Sequence, residues 1–246
     1  MKILLSNDDG FNAQGIKILK KYLEIYGNTT VVAPSKNVSA CSSFLSVTKR
    51  INIRKIDNST FAVNGTSADC VHLATRGLLK QTQHQVISGI NFGSNMGDDV
   101  IYSGTVAAAI EGRFCKYTPI AISIANREPK YLHDISEKLD IFLPKLIKQQ
   151  FKDNIVINVN IPDIPLSKIE GSKITPLGHR KPPKRAKIFF ENGKTYGLIG
   201  DVGLPLHERE HNDFSSVKNN YISITPVSTD MTHKILVKNM YEYESN

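Results

Sequence analysis

The stretch KILLSNDDGFNAQGIKILKKYLEIYGNTTVVAP (2–34) decides the fold that we predict for the whole chain. Its apolar start, KILLS, is typical of a buried strand, and NTTVVAP predicts a second strand that ends at Pro34. Between them, apolar side chains recur at helical spacing, which predicts an amphipathic helix that stops at Gly27. A strand, a helix and a strand in succession form a unit whose two strands run parallel.

The same alternation continues on the C-terminal side of this unit. Further buried strands are predicted in HQVISGIN (84–91), TPIAISIA (118–125) and NIVINVNIP (154–162), and a β-ribbon in SFLSVTKRINIRKI (43–56). Helices are predicted in TSADCVHLATRGLLK (66–80, capped by Thr66), GTVAAAIEGRFCKY (104–117) and YLHDISEKLDIFLPKLIKQQF (131–151). The fold class that follows is α/β, with a Rossmann-like, doubly wound and mostly parallel sheet.

The character of the sequence changes after Pro162, where charged residues, proline and glycine dominate. The stretch AKIFFENGKTYGLI (186–199) contains an Asn-Gly turn signal and predicts a β-hairpin, and NYISITPVS (220–228) predicts a further strand. We interpret residues 1–246 as one domain, with a core over about residues 1–162 and a C-terminal hairpin extension over about residues 163–246.

Composition restricts the class of protein before any motif is considered. The chain has 246 residues, 40% of them hydrophobic and 22% charged, which is ordinary for a folded soluble protein. A net charge of +8 favours anionic partners without choosing among them. Three widely spaced cysteines, no CxxC, no secretion signal and no membrane-length apolar run make a cytoplasmic protein the expectation.

Three polar loops each follow a predicted parallel strand, and such loops meet at one edge of a sheet, where ligands bind. They are NDDG (7–10), SKNVSACSS (35–43) and SGINFGSNMGDD (88–99). If Gly10 lets the chain turn, Asp8 and Asp9 approach one point, and a divalent cation would relieve their mutual repulsion. Hydroxyls and amides, but no histidine, accompany them, which suits Mg²⁺, Mn²⁺ or Ca²⁺ better than zinc. The alternative is that Asn-Asp-Asp-Gly is only a favourable turn sequence.

The loop GSNMGDDVIYSGTVAAAIEG (93–112) leads into a helix that is predicted to start near Gly104 and Thr105. The free N–H groups of a helix N-terminus bind phosphate, and Ser103, Thr105 and Asn95 offer further donors. The loop matches neither GxGxxG nor GxxxxGK[ST], so it indicates neither a dinucleotide fold nor a P-loop. A cation site beside an anion site favours metal-assisted phosphoryl chemistry.

This combination of motifs resembles the SurE family, the stationary-phase survival phosphatases that act as 5′(3′)-nucleotidases. The motifs that carry the resemblance, in the family's order, are LLSNDDG, VVAPSKNVSACSS, GTSADCVHL, VISGINFGSNMGDDVIYSGTVAAAIEG and YISITPVSTDMT. The resemblance implies a Rossmann-like core whose C-terminal hairpin is exchanged between subunits of a homodimer or homotetramer. It also implies hydrolysis of nucleoside monophosphates and, in some members, of short polyphosphates.

The resemblance also implies roles for particular residues. The metal ligands correspond to Asp8, Asp9, Ser39 and Asn91. We expect them to hold one divalent ion per subunit, Mg²⁺ or Mn²⁺. The phosphate-contacting positions correspond to Asn95, Ser103, Gly104 and Thr105. Asp8 and Asp9 are the catalytic candidates, and which of them acts as general base or nucleophile stays open. The family pattern Arg-Ser-Gly around the metal-loop serine is Val38-Ser39-Ala40 here.

Two other functions remain as alternatives. The basic segment His179–Lys187 (HRKPPKRAK) is a candidate nucleic-acid contact, although a solvated loop before a hairpin is the simpler interpretation because no aromatic side chains accompany it. His207 and His211 in HEREHND match the His-Glu-x-x-His pattern of zinc peptidases. Their charged surroundings and the preceding Pro205 favour a coincidence, so the metal-dependent phosphomonoesterase is the leading hypothesis and neither nucleic acid nor a membrane is an expected partner.

Overall fold

The computed structural model describes residues 1–151, 154–206, 211–233, 236–237 and 240. Its centre is a nine-stranded sheet with the strand order β3-β4-β2-β1-β5-β6-β7-β13-β8. In chain order these strands are β1 (Lys2–Ser6), β2 (Asn28–Pro34), β3 (Ile53–Asp57), β4 (Thr60–Val63), β5 (Gln85–Phe92), β6 (Ile120–Ile124), β7 (Ile155–Ile161), β8 (Ser172–Ile174) and β13 (Ile222–Ser228).

Among the described strands of the nine-stranded sheet, most neighbours run parallel, and the β3–β4 and β7–β13 pairs are antiparallel. From β1 the chain first moves outward on one side through β2 and β4, and then returns to the other side of β1 with β5. The direction of winding therefore changes between β1 and β5, and in open α/β sheets the ligand crevice lies outside the carboxyl ends of the strands at such a point.

Helices cover both faces of the sheet, which confirms the predicted α/β class. They are α1 (Gln14–Leu23), α2 (Ser67–Leu73), α3 (Gly104–Glu111), α4 (Ile135–Asp140), α5 (Leu143–Leu146) and α6 (Asp213–Lys218). Helices α1, α4 and α5 pack Leu19, Leu139 and Leu143 on one face of the sheet, and α2 and α3 pack Cys70 and Ala108 on the other. No helix in the described part of the chain is long and apolar enough to cross a membrane.

The segment after β7 returns to the central sheet and also forms an arm. β9 (His179–Arg180) pairs with β12 (Pro205–Leu206), and between them β10 (Lys187–Glu191) and β11 (Lys194–Leu198) form the predicted hairpin. Its two loop residues have positive φ values, 50° at Asn192 and 75° at Gly193, as a type I′ turn requires. We call residues 181–204, which include this hairpin, the arm.

Two predicted elements differ in the structure. The predicted helix 131–151 is divided into α4 and α5, because Pro144 has no N–H to donate and its ring displaces the carbonyl four residues earlier. The predicted ribbon 43–56 contains a strand only from Ile53 onward. The loop before Ile53 is not paired with a neighbouring strand at Phe44 and Ser46. These two residues instead form hydrogen bonds with Thr66 and Asp69 at the start of α2.

Candidate active site

A tight turn after β1 directs the two neighbouring acids toward the crevice. Asn7 closes it, because its Nδ2 donates to the Gly10 carbonyl (2.9 Å) and its Oδ1 accepts from the Gly10 N–H (3.1 Å). Gly10 has a φ of 106°, a conformation that glycine adopts without strain. Asp8 and Asp9 both line one cavity, so the turn predicted at Gly10 is present and brings the carboxylates to a common site.

The electrostatic environment of this pair is unfavourable for two negative charges. Burial, followed by the negative charge of Asp8, raises the pKa of Asp9 to about 6, although the Phe92 N–H acts in the opposite direction. Burial also raises the pKa of Asp8, and the hydrogen bond from Thr105 only partly offsets this effect. Protein cations therefore do not neutralise the pair, and a bound cation would favour the ionised form of both acids.

The other two predicted metal ligands line the same cavity. Ser39 comes from the loop after β2, and its Oγ donates to Asn37 Oδ1 (2.7 Å) while Asn37 Nδ2 donates to Asp9 Oδ1 (3.2 Å). Asn91 lies within β5 rather than in the loop after it, and its Nδ2 donates to the Gly93 carbonyl (2.7 Å). Through Asn37, the serine loop is thus connected to the acidic turn.

The predicted phosphate-contacting residues lie on the α3 side of the cavity. Asn95 and Ser103 line it, and Ser103 caps α3 by accepting the Val106 N–H at 3.1 Å. Thr105 donates its hydroxyl to Asp8 Oδ1 at 2.6 Å and so contacts the acidic pair directly. A Cβ atom at Gly104 would lie 2.8 Å from the Asp8 Cβ, so only glycine lets the helix N-terminus come this close to Asp8.

The cavity has a volume of about 960 Å³ and is larger than a metal ion and a phosphate require. Besides the predicted residues, its lining includes Asn37, Phe92, Tyr102, Arg127, Arg180 and Val202. Arg180 is engaged, because its Nη2 lies 2.6 Å from Asp99 Oδ2. The guanidinium of Arg127 has no hydrogen-bond or ion-pair partner within the described ranges.

Several of these residues were not identified from the sequence. Arg127 lies three residues after the end of strand β6 at Ile124, as Asp9 lies three residues after the end of β1 at Ser6, and that placement was an available signal. Asn158 and Asn160 contact Asn95 from β7, and their alternation with Ile157 and Val159 was the corresponding signal in NIVINVNIP. Neither signal specifies a contact without the tertiary structure.

The residues that suggested the two alternative functions, nucleic-acid binding and zinc-dependent peptide cleavage, have other contacts in the structure or lie outside the described residues. In the basic segment His179–Lys187, Arg180 pairs with Asp99 and Lys184 pairs with Asp201 at 2.7 Å. His207 lies outside the described residues, while His211 Nε2 bonds to the Ile174 carbonyl at 2.8 Å. Within the described residues, no group of three or more His, Cys, Asp or Glu side chains is arranged to hold a metal ion. The metal ligands predicted from the sequence include only two acids, beside a hydroxyl and an amide, so this finding does not bear on them.

Comparison with known proteins extends these observations beyond the single chain. The family model described as "Survival protein SurE" matches residues 3–184. A protein of Histophilus somni strain 2336, named 5′-nucleotidase SurE, is 45% identical in an alignment 241 residues long, which covers 94% of this chain and 94% of that protein. The protein of the same name from Haemophilus influenzae strain Rd is 43% identical over 96% of this chain and 95% of its own.

A solved structure gives the same result for the fold. The crystal structure of the SurE protein from Aquifex aeolicus superimposes with a TM-score of 0.86 at 35% identity, covering 99% of this chain and 100% of that one. The fold and the cavity define an α/β protein with a ligand crevice at the carboxyl ends of β1 and β5. Within that class, the chain belongs to the SurE family.

Proposed function

We propose that the protein is a 5′-nucleotidase, a divalent-metal-dependent phosphomonoesterase that hydrolyses nucleoside 5′-monophosphates to nucleoside and phosphate. The observation that carries this proposal is the meeting of Asp8, Asp9, Ser39 and Asn91 with Asn95 and Ser103 in one cavity at the switch point of the sheet. The names of the two bacterial relatives support the same reaction.

The residues present suit a hard divalent cation. Asp8, Asp9, Ser39 and Asn91 offer oxygen atoms only, which Mg²⁺ and Mn²⁺ prefer. Because the Asn91 nitrogen is held by the Gly93 carbonyl, its side-chain oxygen is the atom left to act as a ligand. When bound, such an ion neutralises phosphoryl oxygens and lowers the pKa of an attacking water. We propose one Mg²⁺ or Mn²⁺ per subunit.

The chain's own groups then divide the remaining work. Ser103 and Asn95, which line the cavity, and the N-terminus of α3 are the groups to which we assign the phosphoryl oxygens. Thr105 holds Asp8 by its hydrogen bond, so Asp8 keeps one orientation. Asp9 is less buried than Asp8, and we assign to its carboxylate the proton from the attacking water. The water oxygen bonds to phosphorus as the bond between phosphorus and the ribose oxygen breaks, the ribose oxygen takes up a proton from solvent water, and Asp9 returns its proton to the solvent.

Further properties rest on the family resemblance and are part of the proposal. Hydrolysis of 3′-monophosphates and of short polyphosphate is included, as is a cytoplasmic location. We also propose that the whole chain is one domain, in which the arm is exchanged between the subunits of a homodimer or homotetramer. Ile188 and Phe190 on the arm are 70% and 73% exposed, which a second copy of the chain would reduce.

The test is release of phosphate from a panel of nucleoside 5′- and 3′-monophosphates. Each assay is run with EDTA and then with Mg²⁺, Mn²⁺ or Zn²⁺ restored, for the wild type, Asp9→Asn and the control Asp57→Asn, an exposed aspartate on β3. We expect metal-restored activity that Asp9→Asn lowers by about 10²–10⁴-fold and that Asp57→Asn leaves unchanged. No release with any metal would refute the proposed function.

Nucleic-acid binding by His179–Lys187 is less well supported, because Arg180 and Lys184 of this segment already have carboxylate partners. If phosphate release fails in the first test, retention of single-stranded RNA and DNA at increasing salt concentration becomes the next measurement. A steep loss of binding with salt would favour this alternative, since neutralised phosphates release counterions.

A further inference from the structure

The backbone of Asn95 is held almost entirely by side chains from a distant strand. Asn95 is 8% exposed and lies between β5 and the 3₁₀ segment Gly97–Tyr102, outside any helix or strand. Its N–H donates to Asn160 Oδ1 at 2.8 Å, and its carbonyl accepts from Asn160 Nδ2 at 2.9 Å and from Asn158 Nδ2 at 2.8 Å. One asparagine side chain thus satisfies both polar groups of the same backbone residue.

The residues that make these bonds lie on one face of the sheet. Asn158 and Asn160 are two positions apart on β7, so they point to the same face, and both are 0% exposed. Ser123 on β6 lies beside Asn160 in the sheet register and accepts the Asn95 Nδ2 at 2.7 Å. Fully buried amides destabilise a strand unless their hydrogen bonds are made. The side-chain bonds observed for both asparagines are those to Asn95, and Asn158 Oδ1 has no hydrogen-bond partner within the described residues.

We propose that Asn160, assisted by Asn158, is a positioning residue for Asn95 and thereby for the phosphoryl group of the substrate; this inference rests on the proposed function. Asn160 itself does not line the cavity, so any effect on the reaction passes through Asn95. The Asn95 Nδ2 that donates one hydrogen to Ser123 carries a second N–H. That second N–H is the donor that we assign to a phosphoryl oxygen.

The experiment is a double-mutant cycle on Asn160→Leu and Asn95→Ala, with kcat, KM and inhibition by inorganic phosphate measured for a nucleoside 5′-monophosphate. Leucine keeps the branched shape and the number of side-chain heavy atoms of asparagine, although it is larger, and it removes both hydrogen bonds. We expect each single variant to lower kcat/KM by about 10²-fold, as misplacement of a substrate contact does, and to weaken inhibition by phosphate. The double variant is expected to be no worse than the more impaired single variant.

The matched control is Val159→Ala, which lies between the two asparagines on β7, points to the opposite face and is 0% exposed. It creates a cavity and lowers stability without touching Asn95, so below its unfolding temperature kcat/KM should stay within about twofold of the wild type. If Asn160→Leu does not fold, Asn158→Leu, which removes one bond to the Asn95 carbonyl, replaces it in the cycle.

Amide hydrogen exchange at Asn95 gives a second measurement that does not need activity. Faster exchange at Asn95 in Asn160→Leu, with unchanged exchange in Val159→Ala, supports the inference. A folded Asn160→Leu with wild-type kcat/KM, or a double variant whose loss is the product of the single losses, overturns it. If the wild type releases no phosphate, the proposed function fails, whereas the exchange rates still decide whether Asn160 holds Asn95.

Discussion

Ala40 directly follows Ser39, a proposed metal ligand, at the position where the family resemblance implies glycine. Ala40 has a φ of 63°, in the left-handed region where a Cβ atom is unfavourable. We expect Ala40→Gly to raise the free energy of unfolding by about 0.5–1 kcal/mol, because strain is relieved. Urea denaturation measures this change.

The control for that substitution is Ala13→Gly. Ala13 also lines the cavity, but its φ is −61°, where glycine relieves no strain and only increases the conformational freedom of the unfolded chain. We therefore expect Ala13→Gly to lower stability. Equal effects of the two substitutions would contradict the interpretation that Ala40 is strained.

Arg127 supports a second prediction at this scale. Arg127 lines the cavity, its guanidinium has no acceptor in the described part of the chain, and a phosphate monoester would provide one. We expect Arg127→Gln to raise KM for a nucleoside 5′-monophosphate about tenfold with little change in kcat. Lys130→Gln is the control, because it removes the same charge three residues away, outside the cavity lining. A KM that rises equally in both variants, or in neither, would exclude a substrate contact by Arg127.

The residues of the candidate site were predictable from the sequence to different degrees. Asp8, Asp9, Ser39, Asn91 and Asn95 were proposed from loops that follow parallel strands, and all of them line one cavity. Their roles stay predictions. What the sequence could not provide is the set of contacts that join residues far apart in the chain, such as Thr105 with Asp8, because such contacts depend on how helices pack on the sheet.

At the scale of elements, strands and the first helices were predicted well because they are short and strongly patterned. Helix α2 begins at the predicted Thr66 cap, where a capping box with Asp69 is present. The long amphipathic pattern over 131–151 was misinterpreted as one helix, since apolar periodicity persists through the break at Pro144. The β9–β12 pair at the base of the arm was not predicted either, because its two strands lie at opposite ends of the arm in the sequence.

The base of the arm is attached to the 3₁₀ segment Gly97–Tyr102 through Asp98. The Arg180 N–H donates to Asp98 Oδ2 at 2.7 Å, and His179 Nδ1 lies 3.0 Å from Asp98 Oδ1. The hydrogen bond from the Arg180 backbone, followed by that from His179, lowers the pKa of Asp98 below its usual value. The ionised carboxylate therefore contributes stability above the unfolded pKa of about 3.9, and this contribution is lost as the pH falls through the lower folded value.

We accordingly expect Asp98→Asn to lower the unfolding temperature more at pH 7 than at pH 3, because the contribution of the ionised carboxylate is progressively lost as the pH falls below the unfolded pKa of about 3.9. Because the side chain of Asp98 is about half exposed, solvent screening keeps the difference below about 1 kcal/mol. Calorimetry at both pH values measures it, with Glu24→Gln, which changes an exposed acid directly after α1, as the control. A deficit that is as large at pH 3 as at pH 7 would show that the charge of Asp98 is not responsible.

At the scale of the whole molecule, one sheet places the loops at its strand ends around a crevice, and the arm extends from the rim of that crevice, to which Val202 contributes. The net charge of +8 is compatible with an anionic substrate but did not identify one. The arm is the part whose purpose a single chain does not explain. All residues of β10 and β11 are exposed, including Phe189 and Tyr196, whose rings stack at 5.7 Å.

A second copy of the chain is the partner that we propose for this exposed surface. The last prediction concerns replacement of two apolar side chains on that surface. The wild type should have at least the mass of a dimer at micromolar concentration, as measured by light scattering after size exclusion. The double variant Ile188→Lys, Phe190→Lys should shift the mass toward that of the monomer, because two charges would be buried in the interface without partners. Val47→Lys, which changes an 87% exposed valine outside the arm, should leave the mass unchanged. A monomeric wild type would refute the exchanged arm, and the nucleotidase proposal would remain to be judged on phosphate release alone.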